Sequence, residues 1–144
     1  MRLSLEVALA TLLLLVACAY AQTPGQELVG TSWQVARLQS GDRRTFTPDD
    51  KAKYTFAFGT GGAFSARIDC NRGSGSWRSS GPQLLEIAPF AITHALCPPG
   101  SLFDEIVKRV GDVRTYALKD GRLSLYLMSD GGTLELEPIA VPRR

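Results

Sequence analysis

Two cysteines and their neighbours hold most of the chemistry this sequence could perform. Asp69-Cys70-Asn71-Arg72-Gly73 and Thr93-His94-Ala95-Leu96-Cys97-Pro98-Pro99 supply two thiols, the single histidine, an acid, an amide and a guanidinium. Redox or zinc chemistry would ask for a Cys-x-x-Cys pair or for further histidine ligands. Neither is present, so no metal site is expected and Cys70 and Cys97 are read as a structural disulfide. A general base needs an orienting acid and a substrate pocket. A Cys70–Cys97 bridge would carry Asp69 towards His94, the geometry of a hydrolase dyad, but no nucleophile accompanies it. The plainer reading of His94 is a surface or hydrogen-bonding histidine. No catalytic residue and no cofactor is assigned, and the enzyme reading ranks last. Asn71 suits a tight left-handed turn beside the bridge. Arg72 can anchor a carboxylate or phosphate, or pair with Asp69. The pairs Asp49-Asp50 and Glu135/Glu137 lack calcium-loop spacing and read as a solvated loop and an outer strand face.

The disulfide reading depends on where the chain works. Val7 to Ala19 is apolar except for Thr11, the length of a signal-peptide core and short for a membrane span. Ala19-Tyr20-Ala21 fits signal-peptidase cleavage before Gln22. Leu15-Val16-Ala17-Cys18 resembles a bacterial lipobox that would leave a lipidated Cys18 as the mature N-terminus. Either exit removes or caps the third cysteine and leaves one pairing in an oxidising compartment. The expected organisation is a signal peptide over 1–21, a short polar leader over 22–27, a folded domain over 28–138 and a tail over 139–144. The location is the bacterial cell envelope, either periplasmic or lipid-anchored to a membrane such as the outer membrane. The only membrane attachment expected is a lipid at Cys18.

The elements that would position these residues are mostly strands. Trp33, Val35 and Arg37 share one face of a first strand; Tyr54-Thr55-Phe56-Ala57-Phe58 alternates with period two. Gly59-Thr60-Gly61-Gly62 makes a hairpin turn into a strand with Phe64, Ala66 and Ile68 inward. Cys70-Asn71-Arg72-Gly73 turns the chain, and Gly73 to Trp77 is a strand whose glycines mark a bend or close packing. Leu84 to Ile87 and Phe90 to Thr93 are short strands. One helix follows Pro98-Pro99-Gly100, capped by Ser101. Its apolar stripe is Leu102, Phe103, Ile106, Val107 and Val110, with Asp104 and Glu105 each four residues before a base. Three strands finish the chain, turned at Asp120-Gly121 and Asp130-Gly131-Gly132. Fold class is therefore α+β, mostly β: a small antiparallel barrel-like curled sheet with one packed α-helix. The aromatic row Tyr54, Phe56, Phe58, Phe64, Trp33 and Trp77 either fills that barrel or lines an apolar cavity.

Bulk properties agree. With 144 residues, 44% hydrophobic and 21% charged, the chain has room for one folded domain. Net charge is +2, and the expected signal peptide holds one base and one acid, Arg2 and Glu6, so its removal changes nothing. That balance is too weak for a nucleic-acid partner.

The order Gly30-x-x-Trp33, Asp69-Cys70-Asn71-Arg72, Gly75-x-Trp77, Thr93-x-x-x-Cys97, one helix, Leu123-x-Leu125 and Gly131-Gly132-Thr133-Leu134 resembles the META domain family. That family includes the HslJ-like heat-shock lipoproteins of bacteria. The resemblance covers Glu27 to Glu137 and departs only in having Ala95-Leu96 before the second cysteine. It implies a small antiparallel barrel with one helix, an envelope location and a link to stress or antibiotic tolerance. It implies no catalytic residues. The functional expectation is an exported, non-enzymatic, monomeric accessory protein that binds an envelope partner or component, with Asn71, Arg72, Trp33 and Trp77 as contact residues. The alternative is a carrier of a small apolar ligand or lipid in the barrel interior.

Overall fold

The computed structural model describes residues 22–139. The expected signal segment, the lipobox with Cys18, and residues 140–144 of the tail lie outside the described residues. Among the described residues ten strands run β1 Thr31–Ser40, β2 Thr45–Phe46, β3 Tyr54–Phe58, β4 Ala63–Ile68, β5 Asn71–Arg78, β6 Glu86–Ile87, β7 Ala91–Ile92, β8 Val113–Lys119, β9 Arg122–Leu127 and β10 Gly132–Pro138. The helix α1, Phe103–Val110, lies between β7 and β8. The sheet order is β6-β5-β4-β3-β1-β10-β9-β8, antiparallel throughout, with β2 on β1 and β7 on β5. The two ends of this order meet. Leu85 N–H donates to the Arg114 carbonyl at 2.9 Å and Tyr116 N–H to that of Gln83 at 3.0 Å, so the sheet is a nearly closed barrel. Among the described residues, no helix is long and apolar enough to cross a membrane.

The alternating strands behave as their patterns require. Tyr54, Phe56, Phe58, Phe64, Ala66 and Ile68 all point inward. The β3–β4 hairpin turns where Gly61 and Gly62 adopt positive φ. The β8–β9 turn has positive φ at both Asp120 and Gly121, the geometry that twists a two-residue hairpin correctly. Trp33, Phe56, Phe58, Phe64 and Trp77 are buried with Leu38, Leu125, Leu134 and Leu136 in one core. Their polar handles are satisfied. Trp77 Nε1–H donates to the Gly59 carbonyl at 3.2 Å, and Trp33 Nε1–H to Thr31 Oγ1 at 2.8 Å. Tyr54 accepts the Leu102 N–H at 3.0 Å and so docks the start of α1.

The structure departs from the sequence expectation in several places. Arg37 does not share the buried face of Trp33 and Val35. A bulge between Val35 and Arg37 resets the register against β10, which puts Leu38 inside and Arg37 outside. The turn before β5 is confined to Asp69 and Cys70, because Asp69 takes φ 55, a left-handed conformation that aspartate tolerates; Asn71 is already paired with Ile68. Of Leu84 to Ile87 only Glu86–Ile87 pairs with β5, since residues 83–85 spend their bonds closing the barrel onto β8. Thr45–Phe46, too short for alternation to mark it, forms β2 against β1. In α1, Ser101 Oγ accepts the Phe103 N–H at 3.1 Å as expected, but Lys108 bonds Glu105 rather than Asp104. The expected leader reaches the barrel: Gly25 is buried, and the Tyr116 hydroxyl donates to the Glu27 carboxylate.

Candidate functional site

The β4–β5 turn and the segment between β7 and α1 meet as one node. Cys70 and Cys97 are disulfide-bonded, with S–S 2.01 Å and Cα atoms 5.5 Å apart. Asn71, fully buried, ties the same two segments by its side chain. Its Oδ1 accepts the Ala95 N–H at 2.7 Å and the Thr93 hydroxyl at 2.8 Å, and its Nδ2–H donates to the Ala95 carbonyl at 3.0 Å. Thr93 in turn grips the backbone of Arg72: Arg72 N–H donates to Thr93 Oγ1 at 3.1 Å, and Thr93 N–H to the Arg72 carbonyl at 3.1 Å. A disulfide, a saturated amide and a hydroxyl thus hold a loop that carries no regular structure of its own over 93–97.

Glycine makes this crossing close. A Cβ on Gly75 would lie 2.4 Å from Phe90 Cβ, and one on Gly73 would lie 2.7 Å from the Ala91 carbonyl oxygen. The bare backbone lets Phe90 settle edge-on against Phe64, ring centroids 5.5 Å apart. Of the two roles the sequence offered these glycines, bending or close packing, the structure shows close packing, beside β7 and the Phe90 that precedes it.

Around this node the side chains divide sharply. Asn71, Trp33 and Trp77 are buried, and their polar atoms are committed to the protein. Of the four expected contact residues, these three thus lie in the core and at the loop anchor. Arg72 is exposed, and among the described residues its guanidinium has no hydrogen bond or ion pair. Arg67 stands directly opposite it across β4–β5. Its importance was missed in the sequence, although the two-residue Asp69-Cys70 turn fixes that pairing by counting back from Arg72. His94 is exposed and stands edge-on to Phe103, centroids 5.6 Å apart. It borders a shallow cleft of about 250 Å3 with Leu96, Ser101 and Asp104. Leu96 is 99% exposed between the two anchored positions 95 and 97.

The remaining charges are engaged at the surface. Arg37 pairs with Glu135 at 2.5 Å, and Lys51 with Glu137 at 2.9 Å. Hydrogen bonds from Lys51 and then Gln34 hold the Glu137 carboxyl below its usual range. Asp50 caps the turn at Ala52, and Asp49 meets Lys53 at 3.3 Å. Asp49 is held low by the Asp50 N–H first and by Lys53 second. Asp42, hydrogen-bonded by Ser40 and Arg44, drops to about 2. These acids serve caps and ion pairs. No group of three or more His, Cys, Asp or Glu side chains converges among the described residues.

Three solved structures share this architecture. A protein from Burkholderia xenovorans, determined by NMR, is similar with a TM-score of 0.69 at 19% identity, over 85% of this chain and 94% of that one. A further NMR structure matches with a TM-score of 0.60 at 18% identity, over 81% and 96% of the two chains. A crystal structure of a DUF4847 family protein from Bacteroides vulgatus matches with a TM-score of 0.56 at 15% identity, over 78% and 95%. At such identities the likeness is one of fold. No curated protein matches the sequence. The META domain model matches residues 26–140, a span that takes in every strand, the helix and the disulfide node, and the chain belongs to the META domain family.

Proposed function

We propose that this META-domain protein is an exported, non-enzymatic accessory module of the bacterial envelope. It would recognise a partner protein or an envelope component with the outside of its barrel. The observation that carries this reading is the filled interior. Phe56 and Phe58 are fully buried, Phe64 is 2% exposed, and their rings and that of Trp77 meet tilted or edge-on at centroid distances of 5.4–5.6 Å. Small barrels filled by side chains leave recognition to their surfaces. The alternative, an apolar carrier, would need the space these rings occupy.

Export is supported by the apolar leader and cleavage signals of residues 1–21 and by a disulfide that suits an oxidising compartment. The stress association implied by the family resemblance belongs to the same reading. The non-enzymatic assignment rests on His94, whose imidazole faces solvent and an aromatic edge with no hydrogen-bond partner among the described residues.

Photo-crosslinking in living cells tests the proposal. A photoreactive residue at exposed position 65, on the outside of β4, should yield a discrete adduct that the same residue at position 119 does not. Failure to crosslink from any outer-face position would remove the reading. His94→Ala should leave the adduct and any stress phenotype unchanged, whereas loss of the phenotype in a folded variant would reinstate catalysis.

A further inference from the structure

The outside of β3, β4 and β5 is concave beside Arg72. A groove of about 280 Å3 is lined by Arg67, Arg72, Ser32, Thr55, Ser65 and Ile139, and no acid lines it. Arg67 and Arg72 are direct cross-strand neighbours on this face. Like charges directly opposite destabilise a pair of strands. Lys119 and Arg122 face each other likewise beside the exposed β8–β9 turn, whereas Arg37 and Arg78 are matched by Glu135 and Glu86. Here neither guanidinium has a carboxylate partner among the described residues. Arg67 uses only its Nε–H, donated to the Asp69 carbonyl at 3.1 Å, so its terminal nitrogens stay open. The hydroxyls of Ser32, Thr55 and Ser65 likewise make no side-chain hydrogen bond among the described residues. The backbone of Arg72 is held by Thr93 at both its N–H and its carbonyl, which fixes where its side chain leaves the strand.

We propose that this groove binds a phosphate group between the guanidiniums of Arg67 and Arg72. Two facing forks and a ring of hydroxyls offer more donors than the two oxygens of a carboxylate can accept. The three acceptor oxygens of a phosphate match them, and guanidiniums bind phosphate in paired, charge-assisted bonds. Ile139 supplies an apolar wall for the body attached to it. The phosphate belongs either to a soluble monoester or to a lipid headgroup. The proposal deepens the surface-recognition reading above and rests on it.

The test is an NMR titration of the folded protein, 15N-labelled, with inorganic phosphate at constant ionic strength. Saturable shifts are expected at the amides of Thr55, Ser65, Arg67 and Arg72. Arg72→Gln should weaken binding at least tenfold; Lys119→Gln, at the far hairpin, should leave it unchanged. Ser65→Glu, which sets a carboxylate among the donors at an exposed position, should abolish binding and stands in should Arg72→Gln disturb the fold. Co-sedimentation with phosphatidylcholine vesicles, with and without phosphatidic acid, separates the two sources. Phosphate binding alone assigns a soluble monoester, and vesicle binding lost in Arg72→Gln assigns a headgroup. Shifts spread evenly over all basic positions, binding to neither probe, or binding to either probe that survives Arg72→Gln overturns the proposal. A crosslinked protein partner without phosphate binding would uphold surface recognition while removing this site.

Discussion

Asn71 carries more structural duty than any other single side chain outside the core. It is fully buried, and three of its hydrogen bonds, at 2.7, 2.8 and 3.0 Å, run to residues 93 and 95, far along the chain. A buried amide used this fully is costly to delete, because its partners lose their bonds as well. Asn71→Ala should destabilise the protein by about 2–3 kcal/mol in urea unfolding; a loss within 0.5 kcal/mol, about the range of an ordinary surface change, would contradict the assigned role. Leu96 is the opposite case. Its neighbours are anchored while its own side chain is 99% exposed, so Leu96→Ser should change stability by less than about 0.5 kcal/mol in the same assay. A larger loss would mean that Leu96 packs against the barrel. Sequence reading identified Asn71 as an ordering residue beside the bridge. It did not separate that duty from ligand contact, because burial of one polar residue in a turn is set by a distant loop.

At the scale of elements, close approach and register decide what the alternation pattern alone cannot. β7 lies over β5 only because positions 73 and 75 lack Cβ atoms. Gly75→Ala drives a Cβ to 2.4 Å from Phe90 and should cost about 1–3 kcal/mol through overpacking. Adding Phe90→Ala should recover part of that loss in a double-mutant cycle, and strict additivity would contradict the contact. The bulge at Ala36 shows why the first strand was read only in part. Trp33 and Val35 obey period two, but one extra residue then exchanges the faces of Arg37 and Leu38, and no local propensity announces it. In contrast, Asp120-Gly121 and the stripe of α1 were legible because turn chemistry and helical spacing are local properties. In α1, Glu105 is held below its usual range, first by Lys108 and then by Arg109. A depressed folded pKa contributes stability above the unfolded value and loses it as pH falls through the folded one. Wild type should therefore exceed Glu105→Gln in stability near neutral pH, and the gap should close below about pH 4. A gap independent of pH would mean that charge plays no part.

At the scale of the whole molecule, two long-range ties hold the nearly closed barrel together. Backbone bonds between residues 83–85 and β8 join the sheet ends, and Cys70–Cys97 fastens the α1 approach to the β4–β5 turn. The bridge spans 27 positions, for which chain entropy gives roughly 3.5 kcal/mol. Replacing both cysteines by serine should lower stability by about that amount, seen as an earlier thermal transition with the strand content retained. An unchanged transition would show that Asn71 alone holds the loop. The barrel class followed from many short alternating segments, each locally marked, and the helix packed on it from its own apolar stripe. The order β6-β5-β4-β3-β1-β10-β9-β8 was not legible, since it depends on which strands find one another after the chain has left and returned. The outer groove escaped for a local reason: with the turn read over Cys70 to Gly73 rather than at Asp69-Cys70, Arg67 and Arg72 do not face each other. The central claim is that the interior is filled and recognition lies outside. Native mass spectrometry of the protein released gently from its own envelope fraction tests it most directly. The expected spectrum shows the mature polypeptide either bare or carrying a polypeptide or a phosphate-bearing molecule. A stoichiometric apolar molecule that stays bound until the chain is denatured would contradict the account and return the aromatic core to the role of a cavity.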